Sequence, residues 1–212
     1  MLNTEKWSDL PTDRWITQEI PSLFKAGGAV IIASVGHTVH DVRELAAPLA
    51  DAGAHMLEVV SYRSEEMADA VRIAKAECDL PVLAKVSANW ANLLDVVKDC
   101  LEAGADGITA IDSIGPALGI DIETRRPWLD GPWGFAWLSG TAIKPIALRV
   151  VAEIALQWNI PILGVGGVSR GRDIIEMMMA GAAAAQAHTA ILLNGLPRLG
   201  RMLRQLHSWL DA

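Results

Sequence analysis

The strongest constraint on this chain's fold is a pair of repeated joints. Five times a helical pattern gives way to a short apolar run, and only two kinds of joint are used. Asp51-Ala-Gly-Ala54, Glu102-Ala-Gly-Ala-Asp106 and Met179-Ala-Gly-Ala182 share one kind; Asp79-Leu-Pro-Val-Leu83 and Asn159-Ile-Pro-Ile-Leu163 share the other. Glycine just past a helix supplies the left-handed residue that ends it, and proline cannot continue one. Recurrence of such joints marks a repeated supersecondary unit.

The apolar runs after the joints read as strands: 29–34, 56–60, 82–86, 107–111, 160–165 and 183–187. Between them, 39–52, 64–78, 92–103, 142–158 and 173–180 carry helical spacing, and a last helix runs over 196–210. Strands alternating with helices require a parallel sheet with right-handed crossovers. Few joint types favour a TIM-type (β/α) barrel with about six recognisable strands, and hence an incomplete one; a doubly wound sheet is the alternative. Both faces of such a sheet are covered, which suits a chain that is 51% hydrophobic. We read one barrel domain over 29–212. The preceding segment 1–28 shows no strand signal, and Thr17 to Lys25 reads as a short covering helix stopped at Ala26-Gly27-Gly28.

With a net charge of −7 and no cluster of Lys or Arg, nothing attracts nucleic acid or an anionic membrane. No apolar window is long enough to cross a bilayer, and charges of both signs interrupt Met1 to Pro21, so a cytoplasmic protein is expected. Cys78 and Cys100 lack metal spacing and fall in helical segments, which predicts buried or half-buried thiols. The histidines are not spaced with carboxylates or cysteines as ligands, so no metal is assigned.

In parallel barrels the chemistry sits in the loops after the strands. Gly166-Gly167 follows an apolar run and precedes a helix, and His188-Thr189 ends the neighbouring strand. Together they suit a cradle of backbone N–H groups for a phosphate, or the glycines merely turn a tight loop. Lys85 ends another apolar strand. It meets an anionic or carbonyl-rich ligand there, or pairs with Glu58 or Asp112, and the two are compatible. Asp112-Ser113 offers a carboxylate and a hydroxyl to a bound ring. Ser139-Gly140-Thr141 is either a helix cap or a ligand contact. His37 is placed at the barrel mouth and His40 on a helix surface. The long connection 112–140, with Trp128, Trp133 and Trp137, reads as a functional lid, a surface arm packing its own tryptophans, or a subunit contact.

These motifs in order, Pro81-Val-Leu-Ala-Lys-Val-Ser87, Asp106-Gly-Ile-Thr-Ala-Ile-Asp-Ser113, Leu138-Ser-Gly-Thr-Ala-Ile-Lys-Pro-Ile-Ala-Leu-Arg149 and Ile162-Leu-Gly-Val-Gly-Gly-Val168, resemble the flavin-dependent dihydroorotate dehydrogenases and the pyrimidine-reducing domain of dihydropyrimidine dehydrogenases. The resemblance implies FMN across the mouth of a barrel and a soluble enzyme of pyrimidine metabolism. Lys85 would touch the flavin's pyrimidine end, and Ser139 and Gly140 would lie beside the cofactor. Gly166, Gly167 and Thr189 would hold its phosphate, with His188 beside it where the family has a glycine, its imidazole either assisting or obstructing. Asp112 and Ser113 would face a small cyclic substrate.

The departures are as specific. The family has two more βα units before the strand near Ala29, and a proton-accepting Asn-x-Ser-Cys-Pro-Asn loop where this chain reads Val59-Val-Ser-Tyr-Arg-Ser64. Ser61 or Ser64 would have to serve as base. Asp112 stands where the family has an amide, which would repel an anionic substrate. One expectation is therefore an FMN-dependent oxidoreductase moving a hydride between flavin and a small cyclic carbonyl compound. The alternative is a non-catalytic or partner-dependent subunit binding a phosphate-bearing ligand. Open strand edges predict association with a second copy or another chain.

Overall fold

The computed structural model describes residues 1–4 and 8–211. In chain order its elements are β1 (Leu2–Asn3), α1 (Thr12–Arg14), a π-turn Trp15–Glu19, α2 (Ile20–Ala26), β2 (Ile32–His37), α3 (Val39–Asp51), β3 (Met56–Ser61), α4 (Met67–Glu77), β4 (Val82–Val86), α5 (Leu93–Glu102) and β5 (Gly107–Ala110). An arm of short strands follows: β6 (Ile114–Ala117), β7 (Ile120–Asp121), β8 (Arg126–Pro127) and β9 (Ala136–Leu138). The chain continues with α6 (Lys144–Gln157), β10 (Ile162–Val165), α7 (Gly171–Met179), β11 (Ala184–Gln186), α8 (Thr189–Asn194) and α9 (Pro197–Leu210). The described residues fall into two compact units, one holding 8–86 and 92–109, the other 1–4, 87–91 and 110–211.

In the first unit four strands lie in the order β5-β4-β3-β2. The parallel register runs from Ile32 opposite Met56 to His37 opposite Ser61, and from Leu57 opposite Val82 to Val59 opposite Ala84. Leu57, Val59, Val82 and Ala84 are fully buried, as are Met67, Val71 and Ala74 on α4, so helices seal the sheet. Asp106 secures one joint: its carboxylate accepts from the Val82 N–H at 2.7 Å and from Lys75 at 3.0 Å. β2 begins three residues later than the apolar run predicts, because Ile31 is spent on the joint: its carbonyl accepts from the His55 N–H at 2.8 Å and the Met56 N–H at 3.2 Å. It also runs on through Gly36, which sequence reading assigns to a loop. A Cβ at Gly36 would lie 1.9 Å from the Val60 carbonyl oxygen, so only glycine lets the strands pair there.

In the second unit β10 and β11 pair in parallel, Leu163 opposite Ala184 through Val165 opposite Gln186. Ala147, Val150, Val151 and Ile154 of α6, with Met177 of α7, are buried around Ile162 of β10. Each of the strands predicted from the apolar runs is present. Several elements have no counterpart in the sequence reading: the short strands β6 to β9 inside the connection 112–140, β1, which pairs antiparallel with β9 where no strand signal exists, and α8, which follows directly on His188. The expected covering helix of segment 1–28 begins earlier, at Thr12, and stops at Gly27 with φ 68°.

In the arm β9 also pairs with β6, and β7 with β8. Trp137 and Trp128 lie over Gly115 and Gly119, where a Cβ would come within 2.6 and 2.4 Å of the rings. The arm thus half-buries Trp137 against its own glycine, while Trp128, though it lies over Gly119, is 63% exposed and Trp133 90% exposed.

Candidate functional site

The second unit gathers three loops. Gly166 and Gly167 leave β10 with φ of 121° and 77°, values that side-chain-bearing residues rarely adopt. A Cβ on Gly167 would stand 2.9 Å from the Gly140 carbonyl oxygen, and one on Gly140 would stand 3.2 Å from Thr189 Cγ2. The Gly167 backbone therefore meets the Gly140 carbonyl, Gly166 lies against the Ala147 and Ile143 side chains, and the Thr189 methyl closes on Gly140, with the Ser139 and Thr189 hydroxyls alongside. Ser139 Oγ accepts from Thr189 Oγ1 at 3.3 Å and from Asn3 Nδ2 at 3.1 Å. Ser139 is no helix cap: a 3₁₀ turn, Thr141–Ile143, intervenes before α6, and neither start carries a side-chain cap. His188 is exposed immediately before α8.

Behind the glycines, Lys144 holds Asp173 and Glu176 at 2.6 Å each. Asp173 is buried and also accepts from the Ser169 N–H, the Ser169 hydroxyl and the Arg170 N–H. Burial pushes its carboxyl up, but the Lys144 ammonium and the Ser169 donors win and hold it below the usual carboxylate range. The hydrogen bonds that Lys144 donates to Asp173 and Glu176 in turn raise it above the ordinary lysine value. This network fixes the turn from Val168 into α7. Asp112 Oδ1 accepts from the Ser113 N–H at 2.9 Å. Asn89 clamps the same loop, donating to the Ser113 carbonyl at 3.4 Å and accepting from the Gly115 N–H at 3.2 Å. Sequence reading missed Asn3 and Asn89; the only available signal for Asn89 was its place just after a strand's C-terminal end.

The first unit holds the other predicted residues. Lys85 Nζ lies 3.4 Å from Glu58 Oε1, so the anticipated ion pair forms with Glu58. Glu58 Oε1 also accepts from Ser34 Oγ at 2.7 Å. Ser61 is buried, and its Oγ accepts from the Arg63 N–H at 3.1 Å. Ser64 opens a 3₁₀ turn, Ser64–Glu66, ahead of α4, and its Oγ lies 3.5 Å from Glu65. Beside this loop the rings of His37 and Tyr62 stand 5.0 Å apart. His40 pairs with Glu44 on the exposed face of α3, as its helical position predicts. Cys100 is buried, its thiol pushed up to about 12 mainly by burial, and Cys78 is half-buried. No group of metal-ligating side chains forms among the described residues. No helix among them is long and apolar enough to cross a membrane.

A parallel α/β protein with a glycine-lined, hydroxyl-bearing loop cluster and a lysine at a strand's C-terminal end belongs to the class that binds phosphate-bearing cofactors. The dihydroorotate dehydrogenase family model matches residues 29–210. The catalytic subunit of dihydroorotate dehydrogenase B (NAD(+)) from Geobacter sp. (strain M21) is 34% identical over 221 residues, covering 97% of this chain and 72% of that protein. Its counterpart from Methanothermobacter thermautotrophicus is 38% identical over 142 residues, 67% of this chain and 46% of that one. The Pyrococcus abyssi counterpart is 37% identical over 136 residues, 64% and 44% of the two chains. This chain belongs to the dihydroorotate dehydrogenase family, FMN-dependent oxidoreductases of (β/α) barrel fold that act on CH–CH bonds. Within the second unit, positive-φ glycines and two hydroxyls suit the phosphate end of FMN; within the first, Lys85 is a strand-end ammonium of the kind that suits a carbonyl-rich ring.

Proposed function

We propose that this chain oxidises a dihydroorotate-type substrate as the catalytic subunit of a larger assembly, as the names of its relatives describe for those proteins. The close approach of Gly167, Gly140 and Thr189, in a chain matched to the family from residue 29 onward, is the observation that carries the reading. Bound FMN supplies the hydride acceptor. Peptide groups of Gly140, Gly166 and Gly167 and the hydroxyls of Ser139 and Thr189 bind its phosphate end, with His188 at the rim. Lys85 would lie at the ring's pyrimidine end, where its ammonium would favour negative charge.

Asp112 and Ser113, held by Asn89, orient the substrate. A carboxylate at 112 favours a ring N–H donor over an anionic group in that position. The proton leaves to a loop hydroxyl, which in turn passes its own proton to an acceptor; for Ser64 the Glu65 carboxylate, 3.5 Å from its Oγ, is in place to receive it. Ser61 is committed to the Arg63 N–H, so the half-buried Ser64 takes the leading role and Ser61 supports the loop. Electrons pass onward to a partner chain and then to NAD(+). Within each unit the outer strand, β2 or β11, pairs on one side only among the described residues, which favours association.

The test is anaerobic mixing of FMN-reconstituted protein with dihydroorotate. Loss of the flavin's visible band in a single turnover, slowed on the order of 100-fold in Ser64→Ala, is the expected result. A band unchanged by dihydroorotate in protein that retains FMN would refute the substrate assignment. The same variant losing nothing would remove Ser64 as base.

A further inference from the structure

Ser34, Glu58 and Lys85 form a polar row on three adjacent strands of the first unit. Ser34 stands directly opposite Glu58, and Glu58 opposite Leu83, so Lys85, two residues on, shares their face. Glu58 is 5% exposed and the Lys85 side chain 20%. One oxygen, Glu58 Oε1, receives both the Ser34 hydroxyl and the Lys85 ammonium. A carboxylate in a sheet interior is not needed for stability, since apolar residues of similar volume serve there as well or better. What it supplies is position: the ammonium rides on a long flexible stem, and a fixed anion one step below it on the neighbouring strand restricts where that charge sits.

We propose that Glu58, braced by Ser34, is the positioning residue for Lys85, setting the place and effective charge of the ammonium that meets the flavin's pyrimidine end. The inference rests on the assignment of Lys85 to that role. Glu58 touches neither cofactor nor substrate and acts only through Lys85. Its removal is therefore felt where Lys85 is present and is silent where Lys85 is gone.

The experiment is a double-mutant cycle read by FMN dissociation constant and by flavin midpoint potential. Glu58→Gln keeps the shape and an acceptor oxygen but removes the charge. It is expected to weaken FMN about tenfold in the wild-type background, the weight of one charge-assisted contact, and to shift the potential. In the Lys85→Met background the same change is expected to alter the constant less than about twofold. Ser34→Ala, at a surface position with little risk to folding, should weaken FMN about two- to threefold and likewise fall silent beside Lys85→Met.

Equal effects of Glu58→Gln in both backgrounds, or none in the wild-type background, would overturn the proposal. If Glu58→Gln does not fold, Ser34→Ala decides by the same criterion. Wild-type protein that binds no FMN, or Lys85→Met that binds it normally, would sink the Lys85 assignment itself. Normal wild-type binding with a damaging Lys85→Met and a silent Glu58→Gln would sink only the role of Glu58.

Discussion

The two units carry different candidate contacts, built of different materials. In the second unit the candidate phosphate cradle is backbone: Gly140, Gly166 and Gly167 bring peptide groups together, and hydroxyls of Ser139 and Thr189 finish it. In the first unit the candidate ring contact is a charged side chain, Lys85, held by a second side chain, Glu58. A backbone site fails when any side chain is added, whereas a side-chain site fails when one is removed. The two halves should therefore break under opposite kinds of substitution.

The largest effects come from adding a methyl. Gly36→Ala would drive a Cβ to 1.9 Å from the Val60 carbonyl and split β2 from β3, with a loss above about 4 kcal/mol and no folded protein in circular dichroism. Gly167→Ala places a Cβ 2.7 Å from Lys144 Cβ at a φ of 77°. It should cost roughly 2–3 kcal/mol and abolish FMN binding in protein that still melts cooperatively. Gly167→Ala that binds FMN normally would dissolve the contrast between the two halves.

Lys144→Met comes next, since it leaves the buried Asp173 without its cation and should cost roughly 3 kcal/mol by urea denaturation. The pH dependence sharpens this. Asp173 lies below its ordinary range, so its contribution is complete above the unfolded value of about 4 and is lost as pH falls through the lower folded value. Lys144 is raised, so its share is complete below about 10.4 and is lost as pH climbs through the higher folded value. Urea midpoints should fall towards both extremes in the wild type and much less in Lys144→Met. The smallest effect is Thr189→Val, expected to weaken FMN about five- to tenfold in a fluorescence titration and leave melting unchanged.

The same difference governs what the sequence made legible. Glycine pairs and repeated joints announce backbone requirements directly, so the six parallel strands and the turn at Gly166-Gly167 could be read without coordinates. Gly36 carries no such announcement: nothing local distinguishes a glycine needed for close strand pairing from one that turns a loop. Lys85 stood out as a charge on an apolar run, and its pairing with Glu58 follows from the two-residue strand period once register is known. Asn3 and Asn89 could not be found, because their partners lie 136 and 24 to 26 residues away.

The most direct test of the phosphate cradle compares the affinities of FMN and riboflavin for the wild-type protein, the two ligands differing only by the phosphate. The account expects FMN to bind at least about 100-fold tighter, as several hydrogen bonds to a charged group require, and expects Gly167→Ala to erase that advantage. Equal affinity for the two flavins would show that Gly140, Gly166, Gly167 and Thr189 hold no phosphate and would contradict the assignment of the site.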